Sequence, residues 1–541
     1  MAAEMQIPVI DVFAGPGGLG EGFSSFSAEG CNPFRIALSI EKDTHAHQTL
    51  RLRSFFRQFA RGKAPKIYYD VLRGDLSLDE LPRRLMEKST EHYRKWQVAE
   101  AESLHAELGV KSSHASISEK IAKAIGDRKR HWVLIGGPPC QAYSIVGRVR
   151  NRGNDDYKIE EDHRSTLYRE YLQIIAEHQP SIFVMENVKG MLSATLQKQR
   201  IFEQILSDLS APEATLPNGQ LLRYRIVPIV DHSRSRRDQK LLPTDFIVAC
   251  ERFGVPQRRH RVILIGIRED LGDVNVPTLK PSEPPTVREM ISTLPRLRSG
   301  LSRKFNGKGY IPLKDDPQLW KEVIQHWTID SGNDALWLDT LADDDPATHT
   351  LIVSTVEKLR IPQKDRRGDF IAAEKTPDAP AALKKWIVDD RLKGTCNHES
   401  RLHMDSDLAR YIFAACHAQV HGDSPKLNQF PRRLLPRHAN AKDEKLIFDD
   451  RFRVQVAGSP ATTVTSHLSK DGHYFIHYDP SQCRSMTVRE VARLQTFPDN
   501  YLFCGPRTAQ YIQVGNAVPP WVACQIAESV WKTLEDSGKI E

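Results

Sequence analysis

The feature that most constrains the fold lies near the start of the chain, where an apolar strand runs into a glycine-rich turn and a helix. The apolar run is Pro8 to Phe13, and the turn spans Ala14 to Gly20. This order of strand, glycine turn and helix is typical of nucleotide-binding βα units in parallel sheets. A second apolar strand, Phe34 to Ile40, ends at Glu41, whose carboxylate could accept hydrogen bonds from ribose hydroxyls.

The residues of the turn also limit the kind of nucleotide it can bind. Its pattern is Asp-x-Phe-x-Gly-x-Gly-Gly, beginning at Asp11, rather than Gly-x-Gly-x-x-Gly. It also lacks the Lys-Ser/Thr pair with which a P-loop binds a triphosphate. The turn therefore favours an adenosine that carries a smaller tail without phosphates.

Further apolar runs predict that the sheet is mostly parallel. Strands are expected at Trp132 to Ile135, Ile182 to Met185 and Arg261 to Gly266, with a helix from Ser165 to Glu177 between the first two. Strands that alternate with helices form α/β sheets whose polar residues gather at one edge. Near the C-terminus, the pattern predicts a hairpin around Asp471-Gly472.

Length and composition indicate a globular protein of several units. The 541 residues suffice for about two to four domains. A charged stretch at about 77–130 is interpreted as a helical surface insertion, and irregular residues 283–461 as a separate domain. The eight cysteines are scattered, which suits free thiols in the cytoplasm, and no uncharged run is long enough to cross a membrane. The net charge of +7 is compatible with a polyanionic partner without requiring one.

One cysteine stands at the end of a predicted strand. Cys140 lies in GGPPCQAYS, directly after the run that ends at Ile135. The two prolines restrict the backbone and would present the thiol from a rigid turn, as a nucleophile requires. Taken alone, however, such a cysteine is more often a small buried hydrophobic residue. Other segments must decide between the two interpretations.

The ordered motifs of the chain resemble those of the cytosine-C5 DNA methyltransferases, in particular the bacterial modification methylases. They are DVFAGPGG, Glu41, GGPPCQAYS, ENV, QRRHR, RSMTVREVARLQTFPD and QVGNAVPP. The resemblance implies a Rossmann-like S-adenosylmethionine-dependent methyltransferase fold, α/β with a mostly parallel sheet, plus an inserted irregular target recognition domain. Residues 1–282 would form the catalytic domain, residues 283–461 the target recognition domain, and residues 462–541 a return to the catalytic domain.

The resemblance implies roles for four residues in methyl transfer. Cys140 would add to carbon 6 of cytosine and so make carbon 5 nucleophilic enough to attack the methyl donor. Glu186 of ENV would bind ring nitrogen 3 and the exocyclic amine, although that residue alone could equally be a capping or ribose-binding carboxylate. Arg261 would hold the exocyclic oxygen, and Arg259 and Arg261 together would favour the thiolate.

The resemblance also implies a binding site for S-adenosyl-L-methionine. Phe13 would stack on the adenine, Gly15 and Gly17 would let the backbone approach the amino-acid tail, and Glu41 would bind the ribose.

Further residues would complete this pocket. Asp75 would contact the adenine amine, with Asp70 as a rival for that role. Leu167 would line the pocket, and Asn516 and Val518 would close it beside the first strand.

A cytosine within double-stranded DNA cannot reach such a pocket unless it is flipped out of the helix. The polar loop at 146–162 would close over the flipped base, with Arg148, Arg150 and Arg152 as candidates for phosphate contacts. No metal site is predicted, because the spacing of the cysteines and histidines in residues 283–461 fits no standard zinc site. These residues are Cys396, His398, His403, Cys416 and His417.

Three other functions compete with this one. One is a second class of RNA methyltransferase whose nucleophile stands in a Thr-Cys pair, but here that pair occurs only at Thr395-Cys396, far from any strand-end carboxylate. A tRNA cytosine-C5 methyltransferase of the same fold resembles a shorter chain with a Cys-Phe-Thr signature, which is absent here. A noncatalytic DNA-binding regulator would be expected to have lost Cys140, Glu186 or the glycine turn. The favoured function is therefore methylation of a specific double-stranded DNA sequence by a cytoplasmic monomer, either as an orphan enzyme or beside a restriction endonuclease that acts on the same site.

Overall fold

The structure is a computed structural model and describes most of the chain. The described residues are 6–126, 131–139, 163–193, 195–196, 199–212, 223–230, 241–305, 310–329, 336–368, 370–373, 376–436 and 450–538. The strands up to residue 268 are β1 (Ile7–Val12), β2 (Phe34–Glu41), β3 (Ser103–His105), β4 (Val133–Gly136), β5 (Ile182–Val188), β6 (Thr195–Leu196), β7 (Gln199–Arg200), β8 (Tyr224–Val227), β9 (Ile247–Ala249), β10 (Gln257–Arg258) and β11 (His260–Arg268).

The central sheet is mostly parallel, as predicted. Its order is β3-β2-β1-β4-β5-β11-β8, and β9 also pairs with β11. Strands β1 to β5 run parallel to one another, whereas β11 is antiparallel to β5 and β8. The carboxyl ends of β1, β2, β4 and β5 therefore meet at one edge of the sheet, where ligands bind in open α/β folds.

The described helices in this part of the chain include those that cover the two faces of the sheet. They are α1 (Gly18–Ser25), α2 (Thr44–Arg57), α3 (Lys66–Arg73), α4 (Leu81–Lys88), α5 (Thr90–Glu102), α6 (Lys111–Ile125), α7 (His163–His178) and α8 (Ile201–Ser210). Because side chains alternate across a strand, β1 contributes Val9 to one core and Val12 to the other. A sheet buried on both faces explains why its strands read as continuous apolar runs.

A β-bulge in β2 sets the orientation of that strand's end. The register shifts so that Val9 pairs with Ile36 but Ile10 pairs with Leu38, which leaves Ala37 as the extra residue. Ile36 consequently belongs to one core and Leu38 to the other, although both have the same parity in sequence. A bulge re-aims the residues that follow it, here including Glu41.

The stretch at 77–130 differs from the surface insertion expected from its charge. It contains β3, which extends the central sheet beyond β2, and α6, whose Ile117 and Ile121 are buried in the core. The many charged residues lie between these apolar positions, so that composition alone concealed a strand and a core helix. Only α4 and α5 form a separate packing layer, with Leu81, Leu85 and Trp96 buried against α2 and α3.

Much of the stretch 283–461 packs in one irregular core, which also includes Ile476 and Cys483. The elements of the stretch are α9 (Val287–Ile291), β12 (Gly300–Phe305), β13 (Tyr310–Pro312), α10 (Pro317–Thr328), α11 (Leu336–Asp344), α12 (Pro346–Glu357), β14 (Phe370–Ala372), α13 (Ala381–Ile387), β15 (Gly394–Cys396), β16 (Leu402–Met404) and α14 (Asp405–His421). The core is built around α14, which is buried along most of its length and packs against α10 and α12. Helix α9, in contrast, packs with residues that follow 461.

The C-terminal part returns to the sheet. It contains β17 (Ala461–Thr462), α15 (Val488–Leu494), α16 (Arg507–Asn516) and α17 (Pro520–Asp536), and α17 packs against α1. The hairpin predicted around Asp471-Gly472 is wrong. Residues Ser466–Ser469 form a 3-10 helix, and Ile476 pairs instead with Val454 and Ser485. Among the described helices, none is both long and apolar enough to cross a membrane.

Candidate functional site

The glycine turn after β1 is held in a conformation that few side chains tolerate. Phe13 and Gly15 have φ angles of 55° and 58°, and Gly17, which precedes α1, has a φ of 91°. A Cβ atom on Gly17 would also lie only 2.7 Å from the Leu50 side chain. A left-handed non-glycine residue such as Phe13 is strained and is often found at a functional site.

The Glu41 carboxylate fixes this turn from the end of β2. One of its oxygens accepts a hydrogen bond from the Gly15 N–H at 2.8 Å, and the other accepts one from the Asp43 N–H at 2.7 Å. Burial raises the pKa of Glu41. Each carboxylate oxygen can accept a further hydrogen bond, so the group can still bind a diol such as that of a ribose.

Asp11 lies beneath the same turn and is 1% exposed. Neither of its carboxylate oxygens has a hydrogen-bond partner among the described residues, and the nearby Gly20 backbone makes no hydrogen bond of good geometry to them. Burial raises the pKa of Asp11 to about 8, although the positive charge of Arg57 opposes the shift. The carboxyl group is therefore mostly protonated at neutral pH.

We expect the Asp11→Asn variant to gain stability relative to the wild type as the pH rises. An unfolded Asp ionises near its ordinary pKa of 3.8, whereas Asp11 in the folded protein holds its proton until about pH 8. Folding thus becomes less favourable between these values, by up to ~1.4 kcal/mol for each pH unit. Urea denaturation at pH 4, 6 and 9 should show the two proteins diverging with pH. Parallel curves would contradict the raised pKa.

Residues from the C-terminal part form one wall of the turn. The Tyr501 hydroxyl donates a hydrogen bond to the Pro16 carbonyl. Val518 is buried, and a Cβ atom on Gly18 would lie 2.3 Å from its carbonyl oxygen. The predicted neighbour Asn516 is exposed at the end of α16. An N-terminal segment and a C-terminal segment of the chain therefore meet at the glycine turn.

A second group of residues lies at the end of β4, next to β1 in the sheet. Gly136 ends the strand, and Gly137 and Pro138 follow it. A Cβ atom on Gly137 would lie 2.8 Å from Oε2 of Glu186, so a side chain at this position would displace the carboxylate. Cys140 itself lies outside the described residues, one residue beyond the last that the structure describes in this turn, Pro139.

Glu186 and Arg261 are brought together from neighbouring antiparallel strands. Nε of Arg261 lies 2.8 Å from Oε1 of Glu186, and both side chains are 12% exposed. The N–H of Nε lacks the geometry of a hydrogen bond, so this contact is an ion pair. A different guanidinium nitrogen of Arg261, Nη1, donates a hydrogen bond to the His260 carbonyl at 2.8 Å. The two side chains therefore lie together, next to the turn that leads to Cys140.

Asn187 has a contact that the sequence analysis missed. Its side-chain amide donates a hydrogen bond to the Pro138 carbonyl at 3.1 Å, and it is 3% exposed. This bond ties the proline turn to β5, and so to the strand that carries Glu186. Its place beside Glu186 in ENV was the available signal, but the sequence does not show which way the amide points.

Arg259 has a different place from the one predicted for it. Its guanidinium is fully buried and donates hydrogen bonds to the main-chain carbonyls of Val464, Gly515 and Ala517 at 2.6 to 2.9 Å. Burial, assisted by the positive charge of Arg261, lowers the pKa of Arg259. Because its donors face carbonyl groups, we assign Arg259 a positioning role that joins the C-terminal part to the sheet. The prediction was instead that Arg259 would favour the Cys140 thiolate.

We expect Arg259→Met to destabilise the protein more than Arg261→Met does. The first change removes a donor from three buried carbonyls, of which Ala517 keeps a second donor in the Gln495 amide, and each carbonyl left without a donor costs roughly 1–3 kcal/mol. Arg261 lies at the partly exposed edge, where its loss leaves a carboxylate that water can reach. The free energy of unfolding in urea should therefore fall by about 3 kcal/mol or more for Arg259→Met. Equal losses in the two variants would contradict the positioning role.

The predicted adenine contact, Asp75, does not lie at the end of a sheet strand. It follows helix α3 and is exposed, and its N–H donates to the carbonyl of the rival residue, Asp70. The strand next to Glu41 is β3, in which His105 pairs with Glu41 and the Ala106 N–H donates to the Glu41 carbonyl. The segment after β3, and not the turn at Asp75, therefore lies beside Glu41 at the edge of the sheet.

The remaining predicted residues divide into buried and undescribed ones. Leu167 is buried on α7, whose Tyr171 donates a hydrogen bond to the Val184 carbonyl of β5. Arg148, Arg150 and the rest of the 146–162 loop lie outside the described residues.

The cysteines and histidines considered for zinc are dispersed in the described structure. Cys396 contacts the Arg489 guanidinium, His398 bonds to Thr487 and to the Pro295 carbonyl, and His403 bonds to Ser485. These contacts stabilise the packing of α15 and its surroundings.

A sequence-family comparison covers most of the chain. The family model described as "C-5 cytosine-specific DNA methylase" matches residues 94–212 and 245–532. The matched ranges include β4, β5, β11 and the C-terminal wall of the glycine turn.

Similar proteins include bacterial and archaeal enzymes. The type II methyltransferase M.Bpa9945I of Bacillus paralicheniformis is 31% identical over 540 residues, covering 96% of this chain and 98% of that protein. The DNA (cytosine-5-)-methyltransferase M.ApeKI of Aeropyrum pernix is 26% identical, covering 74% of this chain and 81% of that protein. A crystal structure of a candidate DNA modification methyltransferase from an E. coli prophage aligns with a TM-score of 0.48 and 19% identity, covering 98% of this chain and 100% of that one.

Proposed function

Because this chain belongs to the C-5 cytosine-specific DNA methylase family, we propose that it methylates carbon 5 of a cytosine within a specific double-stranded DNA sequence. The observation that carries the proposal is the pairing of Glu186 with Arg261 beside the Gly137 turn that leads directly to Cys140. Successive Cα atoms are about 3.8 Å apart, so Cys140 lies one peptide from Pro139.

The glycine turn is suited to S-adenosyl-L-methionine as the methyl donor. Phe13 and Gly15 hold the turn in a left-handed backbone conformation. The Glu41 carboxylate beside the turn has unused acceptor capacity for the two ribose hydroxyls. Val518 lies against the turn on the other side. When bound, the donor supplies an electrophilic methyl group on a sulfonium.

In the proposed mechanism, Cys140 supplies the nucleophile. Its thiolate would form a bond to carbon 6 of the cytosine, and the ring would become an enamine whose carbon 5 could accept a methyl group as the bond from that methyl to the donor sulfur breaks and leaves a neutral thioether. The proton on carbon 5 then leaves to solvent, and the bond from sulfur to carbon 6 breaks to restore the thiolate and the aromatic ring. Addition is favoured when Glu186 donates a proton or hydrogen bond at ring nitrogen 3.

Arg261 would serve the same reaction by binding the exocyclic oxygen of the ring. Its ion pair with Glu186 keeps the acid and the cation at adjacent edges of one planar base. The target cytosine must leave the duplex to reach these groups. Residues 283–461 would select the sequence, with the exposed Arg432 as one candidate for DNA contact.

The similarity to type II methyltransferases supports a role in restriction-modification, in which methylation protects DNA from an endonuclease that cuts the same site.

Expression of the chain in a host without DNA cytosine methylation, followed by sequencing that distinguishes 5-methylcytosine, tests this function. We expect one short sequence context to be methylated throughout the genome. Purified protein assayed with labelled S-adenosylmethionine and either duplex DNA or tRNA provides the control for substrate class. Methylation of tRNA alone, or of neither nucleic acid, would overturn the proposal.

A further inference from the structure

A group of potential metal ligands lies in residues 283–461, away from the sheet edge. His417 and His421 are four residues apart on α14, and their ring centroids are 4.3 Å apart. Residues at this spacing project from the same face of a helix. Asp345, directly before α12, completes the group, and one potential ligand atom from each of the three side chains lies within 4.8 Å of the others.

The hydrogen bonds within the group leave one polar atom unsatisfied. Oδ2 of Asp345 lies 2.7 Å from Nε2 of His421, and Oδ1 accepts a hydrogen bond from the Thr348 N–H at 3.1 Å. His417 is 6% exposed, and its Nδ1 makes no hydrogen bond of good geometry among the described residues, although the Asp423 backbone lies near the ring. An unsatisfied buried polar atom costs about 1–3 kcal/mol, and such atoms are rare in native proteins.

We propose that Asp345, His417 and His421 bind a divalent transition-metal ion of the zinc class. Two imidazole nitrogens and one carboxylate oxygen form a donor set that suits zinc, and water can supply a fourth ligand because His421 is exposed. Two histidines four residues apart on one helix can bind the same metal ion, because both project from the same face. The third ligand comes from a position 72 residues earlier than His417, which explains why spacing along the sequence did not reveal the group.

The geometry needs only a small adjustment to accept the ion. Tetrahedral ligands at ~2.0–2.1 Å from zinc are about 3.3 Å from one another. The contact between Asp345 and His421 is shorter than this, at 2.7 Å, and would open as the exposed His421 ring turns. His417 is held in the packed core and would not move. The bound ion would then fasten the C-terminal end of α14 to the N-terminal end of α12.

A simple ion pair accounts for only part of these observations. A protonated His421 at the C-terminal end of α14 would be stabilised both by Asp345 and by the helix dipole. That arrangement gives no role to Nδ1 of the buried His417. A metal ion instead engages all three side chains and requires no ionised histidine.

Calorimetric titration of the full-length protein tests the proposal. The protein carries no polyhistidine tag and is freed of metal with a chelator before ZnCl2 is added. We expect one zinc ion to bind per chain, and Co²⁺ to give the visible absorption of a site with nitrogen and oxygen ligands. His421→Ala and Asp345→Asn should each weaken zinc binding by at least about tenfold.

Matched controls separate this site from other effects. His326→Ala removes an exposed histidine from α10 in the same part of the chain and should leave zinc affinity unchanged. His421→Ala and Asp345→Asn remove partly exposed groups, so circular dichroism without metal should show that both variants remain folded. Absence of stoichiometric zinc binding, or binding that both substitutions leave unchanged, would overturn the proposal.

Discussion

Replacement of Cys140 by alanine should lower methyl transfer to DNA by at least about four orders of magnitude. Without the thiolate, carbon 5 of cytosine stays a poor nucleophile, and no described side chain at the end of β4 offers another sulfur. The Glu41 carboxylate and the glycine turn do not depend on Cys140, so binding of S-adenosylmethionine should persist. The measurements are the single-turnover rate with labelled donor and the dissociation constant of the donor.

A second substitution gives the matched control. Cys31 is partly exposed and lies outside the site, so Cys31→Ala should retain full activity. DNA that contains 5-fluorocytosine at the target position should trap the wild type and the Cys31→Ala variant covalently, because fluorine cannot leave as a proton does. A trapped Cys140→Ala variant, or substantial methyl transfer by it, would exclude Cys140 as the nucleophile.

Glu186→Gln should lower the rate of methyl transfer by about 10²–10⁴-fold. The amide keeps the size of the side chain and can still form a hydrogen bond, but it cannot deliver a proton to ring nitrogen 3. It also removes the charge that faces Arg261 at 2.8 Å. Single-turnover rates of the two proteins with labelled donor measure the effect.

The comparison with Glu186→Asp tests whether the acid itself matters. A shortened acid should recover part of the rate although its position is poorer. A Glu186→Gln variant that is as fast as the wild type would leave this carboxylate with only a structural role beside Gly137.

The sequence predicted the parts of the fold that are encoded locally. The helix expected at 165–177 is His163–His178, and the strand expected at Ile182 to Met185 extends to Val188. Apolar periodicity and the glycine turn are short-range signals, and they also identified the Glu186 and Arg261 strand ends that meet in space.

The predictions failed where long-range contacts decide the structure. Strand β3 is only three residues long and directly follows helix α5 in a charged stretch, and only its pairing with β2 makes it a strand. Arg259 looked like its neighbour Arg261, because the sequence does not show that carbonyls of residues 464, 515 and 517 lie around its guanidinium. Asp75 likewise resembled a known turn but follows a helix.

The contacts that Tyr501, Val518 and Arg259 make also determine when the glycine turn can be completed during translation. A ribosome makes the turn at residues 14–20 first and the residues that complete it last, almost 500 residues later. At about 5–20 residues per second, this leaves the nascent chain roughly half a minute or more without a finished pocket. The nascent chain therefore has an unfinished glycine turn until Val518 has been added, and the contacts of this wall form only after nearly the whole chain has been translated.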